Sequence, residues 1–401
     1  MSESRKAAGR RGASELARLD ELFTNAGAEY RARKAEAEAR AVAWEWYASS
    51  ARHLEPLYAE RSWSRPGDRL PSAPDPTAAD GTAEYGIDTE GRAVVEREYV
   101  LLGPHGLRVT ETFMRYSEGL VEAATYDHSP EKPLMRVQLG VFADGLLRSL
   151  SRRGRNGGSV ERYTHDGPNV VRIEKTYLSI GRSEKSKTST PEVFEVAWHD
   201  AGPMRIVLTA GAGRRPRVVY ERPPSDVSLE SMLSTLERAL VRGVPEAVAS
   251  LRLREQTYSV VLGLTYGHHV LPPSVSVGLE REREAAIAKD GREAHETIWN
   301  PAEYELNEID TPAFTAESLA DLCRLVNQEL CLQHAWEQAA AMVDRVTAKL
   351  RDYAWGEVLP TTSDFVIFAV DVETIRLETA LRTAARPEDY RRWMAEGLAP
   401  R

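Results

Sequence analysis

Cysteine is nearly absent from this sequence, with two residues in a chain of 401. Cys323 and Cys331 fall in one predicted helix, where their spacing places them about 12 Å apart along the axis. That separation is too large for a disulfide between them. Two thiols without a disulfide framework are typical of a reducing compartment, so we expect a cytoplasmic protein.

Long apolar runs are missing as well. No stretch approaches the roughly 20 apolar residues that a membrane-spanning helix needs. The basic segment at residues 1–12 is not followed by the apolar stretch of a signal peptide. The richest apolar runs, Ser259–Leu264 and Asp364–Val370, have the length of strands. The sequence therefore predicts no membrane association.

The charge balance lacks the positive excess that nucleic-acid binding usually requires. The chain carries 52 Lys and Arg against 61 Asp and Glu, for a net charge of −9. Because a phosphate backbone attracts a positive surface, nucleic acid is not the expected partner. An acidic chain is better suited to a basic protein partner.

Motifs of the common enzyme classes are also lacking. The sequence contains no G-x-x-x-x-G-K-[ST], no G-x-G-x-x-G after a strand, no G-x-S-x-G and no H-E-x-x-H. These absences disfavour nucleotide hydrolysis, dinucleotide redox chemistry and serine hydrolysis. The two cysteines lack the C-x-x-C spacing of a zinc knuckle. We expect no cofactor and no metal, and the sequence favours binding over catalysis.

What is present is a clear change of hydrophobic period along the chain. Residues 1–61 predict a polar tail and a long helix, because apolar residues recur every three to four positions and helix formers fill the middle. Residues 62–82 are rich in Pro, Gly, Asp and Ser and predict a linker. Residues 83–222 alternate with a period of two between short turn signals, which is typical of an antiparallel meander.

Residues 223–401 return to helical spacing around a few apolar strands. Thr257–Leu264 and Asp364–Val370 predict buried strands, and Ile298–Leu306 predicts a further one. Amphipathic helices are expected on either side, among them a long helix or helix pair over Thr315–Tyr353. The predicted fold class is α+β, with a long N-terminal helix, an antiparallel β-meander, and an α/β-type C-terminal domain whose helices flank a small sheet.

Two motifs in the meander share a tyrosine followed by an Asp-Gly type turn. They are Tyr85-x-x-Asp88-x-x-Gly91-Arg92 and Tyr163-x-x-Asp166-Gly167. This pattern resembles the YD repeats of RHS proteins, whose long β-sheets wrap other polypeptides. The resemblance implies hairpins with a tyrosine packed at the strand end, and a role in holding another protein. A generic β-hairpin would carry the same residues.

A second resemblance covers residues 255–395. Its segments are Tyr258–Leu264, Trp299-Asn300-Pro301-Ala302-Glu303-Tyr304, Phe365–Val370 and Pro387–Tyr390. They are similar to an uncharacterised bacterial α+β family found among the immunity proteins that accompany toxins. The resemblance implies a protein partner and no established activity.

The candidate site residues of the C-terminal domain lie in and near predicted strand ends. His268 and His269 follow the first buried strand, where sites often form, and would make a catalytic pair with a carboxylate such as Glu303. The alternative is a polar loop in which one histidine caps the backbone. Trp299 and Tyr304 would line a ligand cleft, or alternatively anchor the core.

A local positive rim is expected on the meander. Arg152, Arg153 and Arg155 fall in a predicted loop at residues 148–155, and a second basic loop lies at residues 213–217. These arginines would bind an acidic partner or a phosphate. Alternatively, such charges only keep sheet edges from pairing with other molecules.

The sequence thus predicts a non-enzymatic protein-binding module, with the immunity partner of a bacterial toxin as the specific hypothesis. One alternative is a structural or self-assembling component that uses the helix and the sheet edges. The other is an enzyme of unknown class with a His/carboxylate site in the C-terminal domain.

Overall fold

The computed structural model describes most of the chain, in these residues: 17–75, 79–101, 106–127, 129, 131–179, 187–188, 190–211, 214–265, 270–309, 317–371 and 377–400. The chain divides into two compact units, Met1–Arg222 and Pro223–Arg401. Across the described ranges, no helix has both the length and the apolar character to cross a membrane.

The N-terminal segment does not form the predicted long helix, and that prediction was wrong. Helix α1 is observed over residues 17–28, and α2 spans Tyr30–Arg40. The chain then enters a strand, β1, at Ala43–Tyr47. The physical reason is the aromatic run Ala-Trp-Glu-Trp-Tyr, which favours a pleated strand over a helix. The helix-forming composition of residues 30–40 does not extend into it.

The first unit is built on one antiparallel sheet, to which fourteen strands of the described chain belong. After β1 its strands are β2 (Arg69–Leu70), β3 (Ala83–Ile87), β4 (Ala93–Leu101), β5 (Leu107–Ser117), β6 (Leu120–Tyr126), β7 (Leu134–Ala143), β8 (Leu146–Gly154), β9 (Gly157–Asp166), β10 (Asn169–Ser179), β11 (Lys187–Thr188), β12 (Glu192–His199), β13 (Gly202–Ala210) and β14 (Arg217–Glu221).

Nearly every strand of this sheet pairs with its neighbour in sequence, which is the predicted meander. The order from edge to edge is β14-β13-β12-β10-β9-β8-β7-β6-β5-β4-β3-β1-β2, with β11 paired beside β10. Several hairpins turn at a glycine in the left-handed region, such as Gly91 at φ 77° and Gly145 at φ 73°. A side chain at these positions would be strained, which explains the turn signals in the sequence.

The sequence pattern does not predict strand β8. It predicts a basic loop over residues 148–155 instead. That prediction was wrong, because Leu146–Gly154 is a central strand paired with β7 and β9. Leu150 and Ser151 point to opposite faces of the sheet and are both fully buried. The alternation signal is weak here because both faces are covered, so neither has a purely polar row.

The sheet is curved, because one short segment reaches both of its ends. The Trp63 indole donates a 2.5 Å hydrogen bond to the carbonyl of Val219 in β14. Only six residues later, Arg69 lies in β2 at the opposite end of the strand order. Thirteen strands side by side in a flat sheet would span roughly 60 Å, whereas six residues reach at most about 22 Å.

The two faces of the curved sheet are covered differently. Helices α1 and α2 lie on the face formed by Phe113 and Val137, where the Tyr126 hydroxyl donates to the Ala26 carbonyl at 2.7 Å. The opposite face contacts residues 48–63, which we call the strap and which include helix α3 (Tyr58–Ser62). Because the strap joins strands from both ends of the sheet, it lies on the concave face.

The second unit has a three-stranded sheet between two helical layers. Strands β15 (Thr257–Leu264) and β16 (Ser274–Leu279) pair antiparallel, and β17 (Thr361–Asp371) pairs parallel with β15. Within the described residues, the helices of this unit are α4 (Leu229–Ser250), α5 (Glu280–Asp290), α6 (His295–Ile298), α7 (Glu317–Gln333), α8 (Trp336–Arg351), α9 (Leu377–Ala384) and α10 (Pro387–Glu396), with 3-10 turns at Gly291–Ala294, Pro301–Glu303 and Trp355–Glu357.

The side chains of β15 enter two separate cores, and an irregularity between Thr257 and Ser259 interrupts their alternation. Val260 and Leu262 pack in the layer of α4, α7 and α8. Tyr258 and Val261 pack in the other layer, which includes Trp393 of α10. Every residue of β15 is buried, which explains its continuous apolar sequence.

The predicted strand at Ile298–Leu306 is not observed, and that prediction was wrong. The segment ends helix α6 and forms the 3-10 turn Pro301–Glu303, with a single bridge between Leu306 and Val277. The side chain of Asn300 accepts a hydrogen bond from the Ala302 amide at 3.2 Å. This cap, followed by a proline at the first position, starts a helical turn and excludes a strand.

Candidate functional site

Three aromatic side chains form a partly exposed patch at one end of the meander. Trp44 and Trp46 are two residues apart in β1 and therefore lie on the same face of the sheet. Tyr99 of β4 stacks on Trp46, with ring centroids 5.2 Å apart and planes inclined by 29°. Trp44 keeps 41% of its surface exposed. We call these three residues the aromatic patch.

The guanidinium of Arg97 holds the patch in place. It lies 4.8 Å from the Trp44 ring, a favourable cation–π geometry. Its nitrogens also donate to Glu84 at 2.8 Å, to Glu111 at 3.3 Å and to Glu38. With its donors shared among three carboxylates and a ring, the arginine has little freedom to move. The aromatic patch is therefore a fixed surface.

Glu111 anchors this charge network to helix α2. Its carboxylate accepts hydrogen bonds from Tyr30 at 2.6 Å and from Lys34 at 2.9 Å. Burial alone would raise the pKa of Glu111, but these hydrogen bonds and the charges of Lys34 and Lys132 hold that pKa at about 2. The carboxylate is thus ionised and keeps α2 close to the aromatic patch.

The strand that carries the tryptophans has a free backbone edge. Trp46 and Tyr47 pair with β2 on one side and with β3 on the other. Among the described residues, positions 43–45 pair with β3 alone. Val42, just before them, is 63% exposed. Unpaired amides and carbonyls at such an edge are a template for an additional strand.

The rest of the same sheet face has a different character. Over the later strands its exposed side chains include paired charges, such as Arg172 with Glu174 at 2.9 Å and Arg172 with Glu195. Exposed ion pairs of this kind contribute little free energy and keep the surface hydrated. Trp44, by contrast, presents a partly exposed aromatic ring on this face at β1.

On the concave face, the strap is held at both ends by hydrogen bonds. Near its start, the Ser50 hydroxyl donates to Glu96 at 2.8 Å and the Ala51 amide donates to the Tyr85 hydroxyl at 2.9 Å. Burial raises the pKa of Glu96 to about 6, because hydrogen bonds from Tyr85 and Ser50 offset only part of the lost hydration.

Near its other end, the strap is tied down by a buried ion-pair cluster. Arg61 forms two hydrogen bonds with Glu161, and Lys175 lies 3.4 Å from the same carboxylate. Burial opposes ionisation of Glu161, yet the hydrogen bonds from Arg61 and the charges of Arg61, Arg152 and Lys175 bring its pKa to about 2. The Tyr163 hydroxyl donates to the same carboxylate at 2.8 Å.

The three arginines predicted to form a basic rim all have protein partners. Arg152 lies beneath the strap and pairs with its Glu55, as well as approaching Glu161 at 3.5 Å. The Arg153 guanidinium lies over the ring of Phe23 at 5.0 Å and bonds to Asp20 at 2.9 Å. Arg155 donates to the carbonyl of Leu134 at 3.3 Å. Arg152 thus ties the meander to the strap and Arg153 ties it to helix α1, whereas Arg155 joins the turn after β8 to strand β7.

The predicted aromatic site residues of the second unit lie in its core. The Trp299 indole donates to the Leu398 carbonyl at 2.6 Å, and its ring is fully buried. The Tyr304 hydroxyl donates to the Ile298 carbonyl at 2.8 Å and is also buried. They occupy the core-anchor position that the sequence left as the alternative to a ligand cleft. Neither offers its ring to a ligand at the surface.

Of the three residues predicted to form a catalytic group, only Glu303 lies within the described residues. His268 and His269 lie outside the described residues, so their pairing with a carboxylate stays a prediction. Glu303 is exposed in the 3-10 turn after α6. Within the described part of the chain, no three His, Cys, Asp or Glu side chains come together in a way that could hold a metal ion.

Comparison with protein-family models and with curated proteins finds no match for this sequence. Its function is therefore inferred from the aromatic patch, the free edge of β1 and the strap. The sequence did carry a signal for the patch, namely the alternation of Trp44 and Trp46 around a glutamate. Assigning those tryptophans to the end of a helix concealed that they share one face of a strand.

Proposed function

We propose that the protein is a non-enzymatic protein-binding module whose partner docks on the aromatic patch and the free edge of β1. The observation that carries this proposal is the position of Trp44 and Trp46 on a strand in which, among the described residues, three positions are unpaired on one side. Aromatic residues dominate the binding energy of protein interfaces. A free strand edge adds main-chain hydrogen bonds to an extended segment of the partner.

The rigidity of the patch supports the same proposal. Arg97 is fixed by three carboxylates and holds Trp44, while Tyr99 donates to Glu84 at 3.2 Å and stacks on Trp46. Side chains that are ordered before binding lose less conformational entropy when a partner arrives. More of the contact energy then contributes to affinity.

The charge of the chain supports a basic partner. At a net charge of −9, long-range attraction would speed association with a cationic protein. We extend the proposal to a toxin as that partner, with this protein acting as its immunity protein. The exposed tryptophan edge would then contact the toxin directly.

Site-specific crosslinking tests the proposal in the cells that produce the protein. A photoreactive amino acid replaces Trp44 in one variant and Thr164, exposed on the later strands of the same face, in the control. We expect a discrete adduct from position 44 and none from position 164. With the captured protein purified, Trp46→Ala should weaken binding by about tenfold or more. Equal labelling from both positions, or none, would contradict the proposal.

Self-assembly is the second candidate, because an exposed edge strand can also pair with a copy of itself. Light scattering on the purified chain separates the two functions. A dimer that Trp44→Lys converts to a monomer would favour self-assembly through β1. A monomer at all concentrations, together with a specific adduct in cells, would favour a different protein as the partner.

A further inference from the structure

A cavity of about 290 Å³ lies on the concave face, between helix α3 of the strap (Tyr58–Ser62) and the later strands of the meander. Three aromatic rings line it, those of Tyr58, Tyr177 and Phe194. Tyr177 keeps 42% of its surface exposed. An aromatic side chain with that much accessible surface beside a cavity has room to pack against a further ring.

The three carboxylates that line the cavity already have partners within the protein. Glu161 is the most deeply buried of the charged lining groups, and Arg61 satisfies both of its oxygens. Glu55 pairs with Arg152, and the remaining carboxylate, Glu192, accepts a hydrogen bond from the Tyr177 hydroxyl at 3.2 Å. None of these three carboxylates therefore requires a bound cation.

The cations of the cavity exceed these carboxylates by one. The lining includes Arg61, Arg152, Lys175 and Arg217 against Glu55, Glu161 and Glu192.

Of the four cations, Lys175 and Arg217 make the weakest contacts with the lining carboxylates. The Lys175 ammonium has three N–H donors, lies 3.4 Å from Glu161 and sits over the Tyr177 ring, 4.9 Å from its centroid. Arg217 is exposed, and across the residues that the structure describes its guanidinium has neither a hydrogen bond nor an ion pair.

Strand pairing places Arg217 on the cavity side of the sheet. It is opposite Leu208, which is opposite Phe194, and side chains at directly paired positions share a face. Arg217 and Lys175 therefore border the same opening, with the Tyr177 ring at its wall. This arrangement places two cationic side chains beside an exposed aromatic ring.

We propose that this cavity binds a small anion that carries a planar ring, with Lys175 and Arg217 holding its carboxylate or phosphate and Tyr177 packing on the ring. The site is separate from the aromatic patch, which lies on the opposite face of the sheet. It adds a small-molecule ligand to the proposed protein-binding role and does not depend on that role.

Titration calorimetry on the full chain tests the site with phenyl phosphate, inorganic phosphate and phenol. We expect saturable binding of phenyl phosphate at one site, and binding about tenfold weaker or worse for the two smaller probes. Arg217→Met should weaken phenyl phosphate about tenfold, the usual size of a lost charged hydrogen bond. Tyr177→Ser should weaken phenyl phosphate while leaving inorganic phosphate unchanged.

The matched control is Arg162→Met, which removes the same charge from the opposite, exposed face of β9. That variant should bind phenyl phosphate as the unaltered chain does. Phenyl phosphate that shows no saturable binding at millimolar concentration would overturn the proposal. So would equal affinities of the Arg217→Met and Arg162→Met variants, because the attraction would then come from overall charge alone.

Discussion

Arg61 and Glu161, one hundred positions apart in sequence, form two parallel hydrogen bonds of 2.9 and 3.1 Å. The pair ties the strap to the ninth strand of the meander on the concave face of the sheet. Only 1% of the glutamate side chain and 11% of the arginine side chain is accessible to solvent. Removing one partner of such a buried pair destabilises the folded state strongly, because the other charge is left buried and unpaired.

Replacement of Arg61 should therefore destabilise the first unit strongly. We expect Arg61→Met to lower the free energy of unfolding in urea by about 3 kcal/mol. Arg172→Met serves as the control, because that arginine pairs with exposed carboxylates and should cost less than about 1 kcal/mol. Equal losses in the two variants would show that the strap is not held by this pair.

The acid stability of the first unit should depend on Glu161. Its pKa of about 2 lies below the usual value near 4.3, so its ionised form favours the folded state. That contribution is complete above about pH 4.3 and is lost as the pH falls through 2. Glu161→Gln should remove this part of the pH dependence in thermal unfolding measured across the acid range. An unchanged acid profile in the variant would contradict the pairing.

Glu96 should have the opposite effect on stability. Burial raises the pKa of Glu96 to about 6, so the protonated form favours folding, and this contribution is lost as the pH rises from about 4.3 through 6. Glu96→Gln keeps an acceptor for Ser50 and Tyr85, and we expect it to gain about 2 kcal/mol at pH 7.

Unfolding in urea at pH 4 and at pH 7 measures this difference for Glu96→Gln. Glu195→Gln, an exposed position on the opposite face, should show no such pH-dependent gain. A Glu96→Gln variant less stable than the unaltered chain at pH 7 would contradict the assignment.

Two tryptophans should respond to substitution in opposite ways. Trp299 is fully buried in the second unit, so Trp299→Ala should cost about 3–5 kcal/mol of unfolding free energy. Trp44 is 41% exposed, and Trp44→Ala should cost less than about 1 kcal/mol while weakening partner binding. Chemical denaturation with circular dichroism measures both. A large loss for Trp44 would show that it serves the core and not an interface.

Local sequence patterns determined the regular elements of both units. The strand at Thr257–Leu264 has the bounds that its apolar run predicts, and the meander follows from alternation between glycine turns. Periodicity predicts such elements because each of them buries one face, or both, along a continuous stretch. Periodicity did not predict β8, because burial of both faces weakens the alternation there. It did not predict β1 either, because an aromatic run follows a helix directly.

Tertiary structure alone decided how distant residues meet. The curvature of the sheet brings Trp63 of the strap to the last strand, and ion pairing joins Arg61 to Glu161 across one hundred positions. It also decided that Trp299 fills a core while Trp44 stays at the surface. These outcomes depend on which strands become neighbours in space and which face is covered. Composition and periodicity are local properties, and they carry no information about such neighbours.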